Sequence, residues 1–329
     1  MKPVNMLQPD PSYHLKVQDP VHSLDFLNQQ LLTGCASGKI KIFCLSSLRS
    51  NYELKASSSP IVFISSNTES LICQDRAGTV KVYDLEKNGY VINTEIQTNH
   101  TGFARSIRIR GDKDILLTPN DSSDINVYDV QNISTVPIHK LSFTAEETGQ
   151  IMCMRELNFS TESSYLLAGY ESGHLVLWDL KEFKLVHNIK YDFPVCNVDY
   201  DSSTNRGVLS SPTIHTIHVF GINRMNLELQ QRDAENIELQ HNEGRKVAGV
   251  SSLKIRSDKK CLFVGSCDGV VDIVSWKSLR KLATLRNHRS EISDIAFSNT
   301  QIDNFKSNLS AIGSIDGSVS LWDIYYKKS

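Results

Sequence analysis

The sequence contains no apolar run approaching the roughly 20 residues that a membrane-crossing helix needs. Its opening, MKPVNMLQPDPSYH, carries no apolar secretory core, so an intracellular protein is expected. There is no surplus of one charge: the formal net charge is −2 over 329 residues. That balance argues against nucleic acid or an anionic membrane as a direct partner. Cysteine is sparse and unpaired in pattern, with seven scattered residues and no CxxC. The spacing therefore excludes a disulfide framework and a zinc site of the usual spacing, and leaves reduced thiols packed as small hydrophobes. The sequons at Asn132, Asn158 and Asn308 are then chance matches.

Catalytic signatures are missing as well. No phosphate-binding loop or dinucleotide fingerprint occurs. GYESG at 169–173 resembles a nucleophile elbow, but its serine, Ser172, is fourth rather than central. His215 and His218 in HTIH would point to opposite faces of a strand, which argues against a shared zinc. Glu146-Glu147 falls in a polar connection and reads as solvated loop. No catalytic residue, metal ligand or cofactor is assigned, and a non-enzymatic protein is expected.

What the sequence does have is a repeat. LLAGYESGHLVLWDL (166–180) places a turn glycine, Gly173, five residues before Trp178-Asp179. The same frame returns at Gly38/Phe43, Gly78/Tyr83, Ser123/Tyr128, Gly269/Val274, Gly317/Trp322 and, most weakly, His215/Phe220. The turn positions 38, 78, 123, 173, 215, 269 and 317 are spaced 40, 45, 50, 42, 54 and 48 residues apart. A period near 40–45 residues closing on Trp-Asp is the signature of a WD40 propeller blade. Each copy is preceded by a further strand-like run, among them VHSLDF (21–26), ARSIRIR (104–110) and ISDIAFS (292–298). Candidate outer strands are VINTEI (91–96), KLVHNI (184–189) and KLATLR (281–286). Period-2 alternation and Val, Ile, Ser and Thr enrichment disfavour helix. The expected fold is an all-β, seven-bladed WD40 β-propeller, because a lone four-stranded blade cannot bury both faces and packed blades can.

After WDIYYKKS no outer strand follows for the seventh blade. SYHLKV (12–17) is expected to supply it, so residues 1–19 form an N-terminal segment serving the last blade and 20–329 hold the seven repeats. In blade seven, His288, Ser314, Asp316 and Trp322 are candidates for a buried structural hydrogen-bond network rather than a catalytic relay. Partner binding is expected on exposed turn residues at the rim, with Arg76, Asp121, Tyr170 and Glu171 as candidates beside the plainer reading of a solvated rim. Two insertions, 223–246 and 299–310, are long enough to be functional or mobile; the first also has room for an outer strand.

The fragments LLAGYESGHLVLWDL, IMCMREL (151–157), VDYDSSTNRGVLSS (198–211), FARSIRI (103–109) and SIDGSVSLWDIYYKKS (314–329) resemble the ASTRA-associated WD-repeat family, whose animal relatives are called G-protein beta-subunit-like protein. The resemblance spans the chain. It implies a scaffold of nucleus and cytoplasm, a monomeric propeller within a hetero-complex. Its implied partners are triple-T co-chaperone subunits, phosphatidylinositol-3-kinase-related kinases and components of the ASTRA chromatin-remodelling assembly. No catalytic residues carry over from the family. The competing reading is a peptide or histone-tail reader using the propeller top face.

Overall fold

The computed structural model describes residues 9–87, 89–102, 104–111, 114–144, 148–160, 163–239, 249–305 and 308–324. Every sheet is antiparallel, and the architecture is the expected seven-bladed β-propeller. Blade one comprises Val21–Leu27, Gln30–Cys35, Lys39–Cys44 and Arg49–Lys55. Blade two comprises Ile61–Ser66, Ser70–Asp75, Thr79–Glu86 and Gly89–Gln97; blade three, Ile107–Ile109, Ile115–Pro119, Ile125–Asp129 and His139–Leu141. Blade four comprises Ile151–Ser160, Ser163–Tyr170, His174–Asp179 and Lys184–Lys190. Blade five comprises Asn197–Asp201, Arg206–Ser210, Thr216–Asn223 and Glu228–Gln231; blade six, Val250–Ile255, Cys261–Ser266, Val271–Ser275 and Lys281–Leu285. Blade seven contributes Ile292–Phe297, Ser310–Ser314 and Ser318–Trp322. The chain divides into two compact units, Met1–Ile61 with His241–Ser329, and Val62–Gln240.

The turn chemistry of the repeat is visible in the backbone. Gly38, Gly78, Gly173, Gly269 and Gly317 all hold φ between +79° and +87°, where a Cβ would be strained. In each of these turns the glycine N–H donates to the carbonyl three residues back, as from Gly173 to Tyr170. Ser123 takes the same left-handed position in blade three, at φ +66°. Blade five is the exception foreshadowed by its weak repeat: His215 is not in that conformation, and Ser211 to His215 form a different connection.

Blade seven closes as expected. Tyr13–Lys16 pairs with Ser318–Trp322, with Leu15 opposite Val319 and Tyr13 opposite Leu321. Val17 N–H donates to the Gly317 carbonyl at 3.0 Å. Ala56 on Gly38, Thr98 on Gly78 and Tyr191 on Gly173 make the same bond in blades whose outer strand follows directly in the chain. The N-terminal strand thus meets its blade as an ordinary fourth strand does.

Neighbouring blades within each unit are pegged by short side chains on their first strands. Ser251 Oγ donates to the Ile292 carbonyl at 2.8 Å and Ser293 Oγ to the Val21 carbonyl at 2.6 Å. Cys153 Sγ reaches the Val195 carbonyl at 3.2 Å in the same way. Inner strands are buried on both faces, as in Cys261–Ser266 and Ser310–Ser314, while outer strands such as Arg49–Lys55 face solvent.

Both insertions have definite structure where described. Ile302 is fully buried in one cluster with Leu45, Leu309 and Leu321. Gln29 brackets the segment, donating from Nε2 to the Gln301 carbonyl at 3.1 Å and accepting the Asp303 N–H at 2.8 Å. Residues 299–305 are therefore a pinned clasp between blades seven and one. In the other insertion the outer strand of blade five comes in two pieces. Glu228–Gln231 pairs with one end of Thr216–Asn223, and Ile237–Glu238 pairs with the other. A single 3-10 turn, Asp233–Glu235, joins them, anchored by Arg206 to Glu235 at 2.9 Å. Residues 240–248 lie outside the described residues, as does the Glu146-Glu147 pair.

Candidate functional site

Ser318, Ser320 and Trp322 share one face of their strand because alternate residues point the same way. His288, in the connection entering blade seven, lies against that face. Trp322 Nε1–H donates to Ser320 Oγ at 2.8 Å, and Ser320 Oγ meets His288 Nε2 at 2.8 Å. His288 Nδ1 faces Asp316 Oδ2 at 3.1 Å. Asp316 also accepts from Ser318 Oγ at 2.6 Å and from the Arg289 N–H at 3.0 Å. With the indole and hydroxyl donating toward Nε2, the network assigns the proton to Nδ1 and a neutral ring. Burial pushes the His288 pKa below its ordinary value, outweighing the pull of Asp316. Burial acts to raise Asp316, but hydrogen bonds from Ser318, Arg289 and His288 prevail and hold its carboxyl low.

The serine of this network is Ser320, not the expected Ser314. Ser314 ends the second strand, and its hydroxyl instead donates to the Ser290 carbonyl at 3.0 Å while accepting the Asp316 N–H. That bond secures the connection beside the turn, one step away from the imidazole. Ser320, His288 and Asp316 have the order of a hydrolytic triad. Ser320 is fully buried, however, and its oxygen is held between an indole and an imidazole, so no substrate carbonyl reaches it. The arrangement satisfies buried polar groups.

Two of the buried cysteines are equally enclosed. Burial pushes the Cys35 and Cys73 thiols up to about 12, far from a reactive thiolate. His218 packs among Phe193 and Tyr191, with ring centroids 4.7 and 5.8 Å away. Among the described residues no three His, Cys, Asp or Glu side chains are grouped to hold a metal ion.

The rim candidates divide. Asp121 and Glu171 are exposed, and Arg76 is half-buried. Tyr170 is not a rim residue: it is fully buried, its ring 5.3 Å from Phe143. As the last residue of an inner strand it points into the blade interface, where an aromatic ring gains most from leaving water. Thr148–Gln150 bridges the two turns that carry them. Glu171 Oε2 accepts the Gln150 N–H at 3.2 Å, and Ser123 Oγ donates to the Gly149 carbonyl at 2.5 Å. Sequence reasoning missed His100 and Gln150 beside them. The available signal was the repeated dipeptide Asn99-His100 and Asn287-His288, each in the connection entering a blade.

Comparison with known proteins agrees with this architecture. A family model, the WD domain, G-beta repeat, matches residues 136–179 and 279–323, the stretches that end on the two Trp-Asp pairs. A mouse relative named guanine nucleotide-binding protein subunit beta-like protein 1 is 26% identical over 96% of this chain and 97% of its own. ASTRA-associated protein 1 of Schizosaccharomyces japonicus is 30% identical over 55% of this chain and 49% of its own length. The Schizosaccharomyces pombe protein of the same name is 27% identical over 64% of this chain and 61% of its own. The match thus spans about half to three-fifths of the fungal relatives.

Proposed function

We propose that this chain, a WD-repeat protein of the ASTRA-associated family, is a non-catalytic scaffold that joins protein partners within an ASTRA-type complex. The observation that carries the reading is the near end-to-end match to the mouse relative, together with the two fungal relatives named for ASTRA. The fold supports it: the triad-like constellation of blade seven is sealed, and Asp121 and Glu171 stand exposed on turns. In the finer form of the reading, the scaffold works with triple-T co-chaperone subunits in the maturation of phosphatidylinositol-3-kinase-related kinases. It then acts in both nucleus and cytoplasm, with its chromatin role following from the ASTRA assembly. Affinity purification of a tagged copy from its native cell, with mass spectrometry of bound proteins, tests both levels. Recovery of ASTRA components supports the scaffold role, and co-recovery of triple-T subunits and the kinases supports the finer form. A propeller recovered alone refutes both.

A further inference from the structure

Blade two ends in a hairpin that reaches further than those of blades one and four. In those two blades the third and outer strands make two pairs past their bulge, ending with Cys44 opposite Arg49 and Asp179 opposite Lys184. In blade two, four pairs follow the bulge, from Tyr83 opposite Ile92 to Glu86 opposite Gly89. The two extra pairs carry the hairpin about 7 Å further. Three apolar side chains on it meet solvent: Leu85 is 44% exposed, Val91 48% and Ile92 51%. Directly opposite residues share a face, so Leu85 and Tyr90 stand on the same side as Ile92, whose partner Tyr83 is buried. Lengthening a hairpin into water with Leu, Val and Ile on it gains nothing for the core. Apolar surface gathered in this way marks a contact site.

The outer strand of this hairpin, Gly89–Gln97, is also an open edge. It is nine residues long where no other outer strand exceeds seven, and among the described residues no strand pairs with its outer side. Sheet edges are ordinarily blunted by shortness, lysine or proline. Arg49–Lys55 and Lys184–Lys190 carry lysine at their ends, whereas Gly89–Gln97 has neither lysine nor proline. Its polar side chains are bonded within the blade. Asn93 Nδ2 donates to Asp84 at 2.7 Å and Thr94 Oγ1 to Asn93 at 2.8 Å. Glu95 pairs with Lys81 at 3.5 Å and accepts from Gln97 Nε2 at 3.2 Å. The strand's one carboxylate is thus matched from inside, and a charged segment would find no counter-charge along it. What the edge offers is main-chain N–H and C=O groups flanked by apolar side chains, which is the chemistry of strand addition. Nine residues span about 30 Å, and a contact of that length across a sheet about 10 Å thick covers roughly 300 Å² on each side. Two copies joined by this edge alone fall short of the roughly 1,200 Å² total of a stable interface. A segment of a protein already held elsewhere on the scaffold needs no such area, because its binding is effectively intramolecular.

We infer that a protein partner adds an extended, uncharged, β-branched segment to the edge of Gly89–Gln97, packing its apolar side chains on Val91 and Ile92. This deepens the scaffold reading and rests on it.

The test uses the full chain and three fluorescein-labelled peptides. The first is Lys-Thr-Val-Thr-Val-Thr-Val-Thr-Lys; the second is the same peptide N-methylated at its three central residues; the third has glutamate for each valine. The first should bind at least tenfold more tightly than either control. At saturation it should slow amide hydrogen exchange within Gly89–Gln97 at least tenfold and leave Lys281–Leu285, the outer strand of blade six, unchanged. Val91→Lys combined with Ile92→Lys sets two charges on the edge and should abolish the preference. Both positions are about half exposed, so the urea midpoint should hold. The exchange pattern of the wild-type chain carries the test if the double variant folds poorly. Equal binding of the three peptides, no binding of any, protection spread over every outer strand, or an unchanged preference in the folded variant overturns the inference. A dimer in sedimentation that the double variant abolishes overturns it too, since the edge then belongs to a second copy. Affinity purification separates the two levels. Partners recovered equally by wild type and double variant sink the strand dock and leave the scaffold standing, whereas no recovery by wild type sinks the scaffold reading itself.

Discussion

Removing residues 1–19 should come close to unfolding the protein. Leu15 and Val17 are each 2% exposed, and both belong to the cluster that also holds Val319 and Leu321. Burying two such side chains is worth about 1.5–3 kcal/mol each. The strand also supplies its ladder to Ser318–Trp322 and two N–H donors to the Gly317 carbonyl. Each such bond contributes about 0.5–1.5 kcal/mol net. Together the loss is on the order of 6–10 kcal/mol, against a typical domain stability of about 5–15 kcal/mol. Urea denaturation followed by tryptophan fluorescence reads the effect directly, since Trp322 lies in the affected blade. Adding a synthetic peptide of residues 9–19 should restore much of the lost stability, because the strand is joined to its blade noncovalently. Leu15→Ala should cost about 2–5 kcal/mol. Tyr13→Ala, at a side chain 40% exposed, should cost under about 1 kcal/mol. A truncated chain with the midpoint of the intact one, or equal effects at Leu15 and Tyr13, would refute the closure argument.

Further expectations follow from the same contacts. Burial holds His100, His174, His218 and His288 below their ordinary pKa. The unfolded chain takes up these protons near pH 6.5 and the folded chain only lower, so their contribution is full above about pH 6.5 and is lost as pH falls below it. Urea midpoints at pH 7.5 and 5.5 should show this drop, and a flat profile would contradict it. Ile302→Ala should destabilise by about 2–5 kcal/mol in calorimetry, where a loop free in solvent would show no change. Ser320→Ala strands the Trp322 N–H and the His288 ring and should cost about 1–3 kcal/mol by chemical denaturation, while partner recovery by the folded fraction stays intact. Loss of partners without loss of stability would show that Ser320 does more than hold the blade.

Much of this protein was legible in its residues because the repeat writes its geometry locally. A glycine five residues before an aromatic marks a turn that needs positive φ, and Gly38, Gly78, Gly173, Gly269 and Gly317 all adopt it. The weak copy at His215 proved to be a different connection, and SYHLKV pairs with the last blade as expected. Alternation and turn chemistry act over a few residues, so one chain segment contains the whole signal.

The tertiary structure decided what depends on residues brought together from afar. Tyr170 looked like a rim anchor, but its strand end faces Phe143 across a blade interface. Ser314 was the hydroxyl expected from the repeat; only the pleat of one strand against the His288 connection selects Ser320. Ile302 read as part of a polar insertion until blade one covered it. His100 and His288 sit in the same dipeptide, yet only His288 meets a serine hydroxyl and a carboxylate, because Asn126 and Ser122 stand in those places in blade three. Burial and hydrogen-bond satisfaction are properties of the surroundings, and those surroundings are assembled only when the blades pack.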